Sequence, residues 1–282
     1  MPTLHMRYPG GLAKAVTFSY DDGVTHDIRL SQILDKYGLK GTFNINTNSL
    51  EPGAVNWKYS RMPKEQVTKL FKGSNHEVAV HTLNHPYLQQ LPCNMATYEV
   101  LEDRRRIEDM FGTVCRGMAY PSDFTFGPDS QEIVDILKAC GILYARTGTS
   151  SNSLVFPSDW LRLMPTCHHK SEKLNELADT ILNESCVRTP WLLYVWGHSY
   201  EFDADDNWEL IESFAEKISG RDDIWYATNI EIFEYAEAYK QLRFSCTGDR
   251  VFNPTCFELF FCDSRKGRNY SVKPGETLEI KV

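Results

Sequence analysis

Two carboxylates and two imidazoles in this chain stand at spacings that suit metal chemistry: Asp21 beside Asp22, and His81 four residues before His85. Adjacent side chains on a strand point to opposite faces, so the two carboxylates are expected to serve different partners, one binding metal and one left free. Gly23 admits the sharp turn that keeps both at the rim of a site. Taken alone, Asp-Asp-Gly is more often an ordinary turn. The His81 and His85 imidazoles come to one side if the chain turns helically between them. With one carboxylate they form a facial set that leaves coordination positions for water and substrate. Tyr120-Pro121-Ser122, Arg146 and Gly197-His198 end further β-prone runs, so polar and ionisable groups recur where such runs stop.

The elements that must position these residues are short β-prone runs at 14–20, 41–46, 77–81, 117–121, 142–146, 161–165, 191–197 and 224–228, which imply seven or eight strands. Apolar residues at helical spacing intervene, as in Ile28, Leu30, Ile33, Leu34 and Tyr37. Gly38 and Gly141 suit left-handed helix ends. Alternation of β and α favours a parallel sheet closed into a barrel, with its site at the C-terminal ends of the strands. Residues 1–240 are read as this barrel. Over residues 241–282 helical spacing stops and turn formers such as Asn253-Pro254 and Pro274-Gly275 separate short β-prone runs, which reads as a small β-rich C-terminal extension.

These residues resemble the motifs of the polysaccharide deacetylase family, also called the NodB-homology or carbohydrate esterase four family, over roughly residues 14–230. Its first motif, T-F-D-D-G, resembles Thr17-Phe18-Ser19-Tyr20-Asp21-Asp22-Gly23 with a small insertion, and its second, H-[ST]-x-x-H, is matched by His81-Thr82-Leu83-Asn84-His85. Its last, a hydrophobic residue two before a histidine, resembles Trp196-Gly197-His198. The resemblance implies a distorted (β/α) barrel in which Asp22, His81 and His85 bind one divalent metal ion, zinc first among the candidates. It further implies Asp21 as general base and His198 as general acid. The implied reaction is hydrolysis of N-acetyl or O-acetyl groups on an acetylated carbohydrate, which for the amide is a hydrolase reaction on a carbon–nitrogen bond other than a peptide bond.

Two motifs depart from the pattern. The third, R-P-P-Y-G, aligns with Ala119-Tyr120-Pro121-Ser122-Asp123 and has alanine where arginine is expected. The fourth, an aspartate followed by a tryptophan, is not in place at Tyr144-Ala145-Arg146-Thr147, and Asp159-Trp160 is a late match. Arg146 is therefore expected to reach across the barrel mouth and orient Asp21 by charge-assisted hydrogen bonds, a contact whose loss would slow turnover and leave the fold intact. Arg116 and Arg162 are the next candidates. A backbone N–H between Tyr120 and Ser122 is expected to bind the developing oxyanion. Trp196 shares a face with His198 and would line the acetyl-binding wall. Trp57 and Tyr59 suit either sugar stacking or core packing, and His168 and His169 stay unassigned.

With 282 residues, the chain is long enough for one large core. Its net charge of −8 disfavours a nucleic-acid partner, which calls for a basic patch, and no apolar run is long enough to span a membrane. The first residues show neither the basic nor the apolar region of a secretory signal, and the compartment stays open. The cysteines lack CxxC spacing and read mostly as buried thiols, with a disulfide among Cys246, Cys256 and Cys262 as the alternative. Two competing functions keep the same residues: a sugar-binding barrel without turnover, and a non-haem Fe(II) oxygenase, since two histidines and a carboxylate serve that chemistry too.

Overall fold

The computed structural model describes residues 3–51, 59–122 and 130–280. After a short strand, β1 (Leu4–Arg7), the chain enters the barrel with β2 (Lys14–Asp21), whose eight residues are all buried. Apolar Val16, Phe18 and Tyr20 alternate with polar Thr17, Ser19 and Asp21, and the polar face is buried too because it is hydrogen-bonded, Thr17 to Asn229 and Ser19 to Asn44. There follow α1 (Asp27–Lys36), β3 (Gly41–Ile45), α2 (Lys64–Phe71), β4 (Glu77–Val80), α3 (Cys93–Phe111), β5 (Gly117–Ala119), α4 (Ser130–Ala139) and β6 (Tyr144–Arg146). The second half contributes β7 (Cys167–His168), α5 (Leu174–Asn183), β8 (Trp191–Gly197), α6 (Tyr200–Ala204), α7 (Trp208–Ile218), β9 (Ile224–Tyr226) and α8 (Asn229–Lys240).

These strands form a parallel sheet in the order β6-β5-β4-β3-β2-β8-β7, with β9 also paired to β2. β8 runs along one edge of β2, so β9 and β3 share the other, β9 against residues 14–16 and β3 against residues 18–21. The ring closes through the segment before and within β7. Leu163 bridges Arg146 of β6, and Cys167 and His168 pair with Val195 and Trp196 of β8. The sheet is thus a distorted (β/α) barrel.

The strand expected at 161–165 is displaced. Asp159 accepts hydrogen bonds from the N–H groups of Leu161 and Arg162 and so winds Trp160–Arg162 into a 3-10 turn, while Pro165 has no N–H to give to a ladder. The helices pack as their spacing predicts: Leu30, Ile33 and Leu34 of α1 are buried in the same core as Phe18 and Phe43.

The C-terminal segment forms β10 (Arg243–Phe244), β11 (Arg250–Phe252), β12 (Leu259–Asp263), β13 (Arg268–Val272) and β14 (Thr277–Glu279). They lie in two three-stranded antiparallel sheets, ordered β10-β11-β14 and β1-β12-β13. The first strand of the chain thus belongs to the C-terminal layer. Met6, Phe261 and Tyr270 share a core cluster with Tyr235 and Ala236 of α8, which seats this layer on the barrel. All eight cysteines are free: Cys115, Cys140, Cys167 and Cys262 are buried, Cys186 is half-buried, and Cys93, Cys246 and Cys256 are exposed rather than buried as most were expected to be. Among the described residues no helix is long and apolar enough to cross a membrane.

Candidate metal centre and active site

The C-terminal ends of β2, β4, β6 and β8 bring together Asp21, Asp22, His81, His85, Arg146 and His198. Asp21 is the last residue of β2, but Asp22 leaves the strand at φ 88. That left-handed backbone cancels the expected alternation and turns both carboxylates to the same side: His81 Nε2 lies 3.9 Å from Asp21 Oδ2 and 3.8 Å from Asp22 Oδ1. Gly23 continues the turn at φ 64, where an added Cβ would stand 3.2 Å from Ile45. The segment from His81 to His85 is not helical either. Thr82 and His85 adopt φ 66 and 60, and the two imidazoles still converge, with ring centroids 4.9 Å apart. Non-glycine residues held in this region cluster where the surrounding structure over-determines them, commonly at functional sites.

Asp22, His81 and His85 present ligand atoms within 4.8 Å of one another. Asp22 Oδ1 and His81 Nε2 are buried and have no hydrogen-bond partner. His81 Nδ1 lies 2.9 Å from the carbonyl oxygen of Ala119, which fixes the ring proton on Nδ1 and leaves the Nε2 lone pair facing Asp22. Burial holds His81 at about 4 despite Asp21, so the imidazole is neutral at ordinary pH. Orphaned buried oxygen and nitrogen atoms, a neutral imidazole and a carboxylate fit a divalent cation of the zinc type.

Asp21 is set apart from this trio by its other contacts. Its Oδ1 accepts from Asn44 Nδ2 at 2.8 Å and from Arg146 Nη2 at 2.5 Å, and Arg146 also binds Oδ2. Burial pushes the carboxyl up, but Arg146, His81 and His198 outweigh it and hold it at about 2. Arg146 thus reaches Asp21 as expected, though not from an open rim: it is 1% exposed, and its guanidinium lies 4.5 Å from the Trp196 ring.

His198 Nε2 lies 4.0 Å from Asp21 Oδ2, and its Nδ1 lies 3.6 Å from Glu201 Oε2. Burial would lower this histidine, but Glu201, Asp21 and Asp22 outweigh it and its pKa is raised. Glu201 sits in α6, three residues on, and gathers both histidines left unassigned above: His168 Nε2 at 3.1 Å and His169 Nε2 at 3.3 Å. Burial raises Glu201, yet His168 and His198 hold it well below the usual carboxylate range. His168, His198 and Glu201 form a second group with metal-ligand spacing, but the hydrogen bonds argue against a metal there. The Lys170 N–H donates to His168 Nδ1 at 3.1 Å, so the ring proton belongs on Nε2, pointing at Glu201 and blocking that nitrogen as a ligand.

Other expected contacts are placed elsewhere. The Tyr120 N–H donates to the Arg146 carbonyl at 2.8 Å and its hydroxyl to the Leu161 carbonyl, so neither serves a substrate. Pro121 has no N–H, which leaves Ser122, at φ 61, as the donor candidate in that tripeptide. Trp196 does lie beside His198, with ring centroids 6.0 Å apart. Tyr59 stacks on Tyr200 at 3.9 Å, while Trp57 lies outside the described residues. Arg116 pairs with Glu234 and Arg162 with Asp159, far in partner terms from Asp21. Asn44, Arg61 and Glu201 escaped the sequence reading. For Glu201 the signal was its place three residues after His198, one helical turn along; Asn44 is the penultimate residue of β3, paired with Asp21 of β2, a position as informative as those examined.

The sequence profile of the polysaccharide deacetylase family matches residues 8–145, the segment that holds Asp21, Asp22, His81 and His85. No curated protein matches the chain. Among solved structures, a Mycobacterium smegmatis protein described as a polysaccharide deacetylase superposes with a TM-score of 0.58 at 15% identity, covering 85% of this chain and 96% of that one. The PuuE allantoinase gives 0.58 at 12% identity, covering 80% and 91%. A Streptococcus pyogenes deacetylase, PplD, gives 0.41 at 22% identity, and the alignment covers 47% of this chain and 55% of that one. At these identities the likeness of the first two shows the barrel fold.

Proposed function

We propose that this protein is a metal-dependent hydrolase that removes acetyl groups from a carbohydrate. The observation that carries the reading is the convergence of Asp22, His81 and His85 ligand atoms within 4.8 Å, flanked by Asp21 on one side and His198 beyond it. The match of residues 8–145 to the polysaccharide deacetylase profile supports the acetylated sugar as substrate. A divalent cation on that trio would polarise the acyl carbonyl and acidify water, which offsets the weak basicity of a carboxylate held at about 2.

Asp21 is ionised at any ordinary pH and is oriented by Asn44 and Arg146, so it receives the proton of the attacking water. The N–H of Ser122 supports the oxyanion. His198, its pKa raised by Glu201 and the aspartates, then gives its proton to the departing amine or alcohol as the bond to the acetyl carbon breaks. Nitrogen and oxygen acetyl groups make the same demands on these groups. Incubating the zinc-loaded protein with N-acetylated and O-acetylated oligosaccharides, and following acetate, tests the reading. Release of acetate supports it, whereas sugar binding without acetate identifies a binding barrel, and oxygen consumption by the protein reloaded with Fe(II) identifies an oxygenase.

A further inference from the structure

Asp22 has a second cationic neighbour. Arg61 Nη2 lies 3.5 Å from Asp22 Oδ1, the oxygen that also faces His81 at 3.8 Å and His85 at 3.7 Å. Its Nη1 donates to the backbone carbonyl oxygen of the same residue. Both side chains are more than nine-tenths buried, at 8% and 9% exposure. Backbone pairing builds this position: Val24 and Arg61 form an antiparallel bridge, Thr25 N–H donates to Ser60 and Met62 N–H to Gly23. Arg61 is therefore seated against the turn that Asp22 begins, and its guanidinium grips both the carboxylate and the carbonyl of a residue at φ 88.

We propose that Arg61 is the resident counter-cation of Asp22 and sets the metal affinity of the site by competing for Oδ1. The inference rests on the reading of Asp22, His81 and His85 as the ligand set. A single positive charge in contact with a carboxylate, in surroundings of low effective dielectric, weakens the pull of that carboxylate on a second cation. Loading is then an exchange, in which the guanidinium yields Oδ1 to the divalent ion while keeping its hold on the backbone carbonyl. Without metal, Arg61 keeps the buried Asp22 carboxylate from standing uncompensated. The pairing of Val24 with Arg61 and of Met62 with Gly23 runs through the backbone, so the segment stays seated when the side chain is changed.

The test is Zn2+ binding to metal-stripped protein, by equilibrium dialysis with elemental analysis, for the wild type, R61Q, R61K and H81A. R61Q, which removes the charge and keeps a polar side chain, is expected to bind roughly tenfold more tightly than the wild type. R61K keeps the charge and is expected to stay near the wild type. A thermal readout runs in parallel: metal-free R61Q melts below the wild type, and added Zn2+ raises its Tm by more. Affinity in R61Q equal to or below that of the wild type, with H81A losing the ion, would overturn the role of Arg61 and leave the ligand set standing. Zn2+ retained equally by H81A would overturn both.

Discussion

Asparagine at position 21 preserves the shape of the aspartate and an acceptor for Arg146 but cannot take up a proton. D21N is expected to keep its metal content near normal and lose turnover, and a matching loss of metal would refute the separate roles of Asp21 and Asp22. Arg146 is a harder case, because its burial changes what its removal costs. With Arg146 at 1% and Asp21 at 2% exposure, R146M strands a buried carboxylate and is expected to cost about 3–5 kcal/mol of stability besides activity, contrary to the intact fold that a rim contact would leave. R146K should recover little, since a point-like ammonium does not reproduce the planar fork. Glu201 acts through His198. The imidazole must be protonated to serve as acid, so activity falls as pH rises through its pKa; E201Q removes a cause of the upward shift and is expected to move that descending limb to lower pH. An unmoved limb in the kcat profile would separate Glu201 from the proton donor.

At the scale of elements, β8 carries a constraint that no side chain reveals. A Cβ on Gly197 would stand 2.1 Å from His169 Nδ1, and that buried ring in turn faces Glu201. G197A is expected to displace His169, lowering Tm and kcat together, as two calorimetric scans and one rate measurement would show; a variant with wild-type Tm would mean the ring has room to move. The buried strands β2, β3 and β8 were legible from sequence because each is rich in β-branched and aromatic residues and helical spacing separates the runs. Two of the misreadings share one cause. Alternation failed at Asp22, the helical turn failed at His81 to His85, and both failures stem from left-handed residues that only tertiary contacts hold in place. The strand at 161–165 failed because Asp159 caps a turn there. The candidate ligands could be picked out because residue type and spacing mark them, whereas Asn44, Arg61 and Glu201 come from other elements and meet the site only in three dimensions.

At the scale of the molecule, the opposite end of the barrel holds a half-buried carboxylate, Glu77, which accepts from Thr42 Oγ1, Tyr144 OH and the Ile230 N–H and so ties β3, β4, β6 and α8 together. Burial outweighs these bonds and raises it from 4.5 to about 7. Below 4.5 it is protonated whether folded or not, and its contribution is intact. Between that pH and about 7 only the unfolded chain ionises, so stability is lost as pH rises, by up to about 1.4 kcal/mol per pH unit. Asp103 and Asp27 are raised by burial over the same range, so E77Q should make that decline shallower in denaturant titrations rather than remove it; an unchanged slope would exclude Glu77 from it. The proposed function gives the other end one ion and one reaction, and a single measurement addresses both: acetate released from an acetylated oligosaccharide by the native protein, after chelation, and after Zn2+ is restored. Release that chelation abolishes and Zn2+ recovers is the predicted result, and release indifferent to the chelator, or none at any metal content, would contradict a metal-dependent deacetylase.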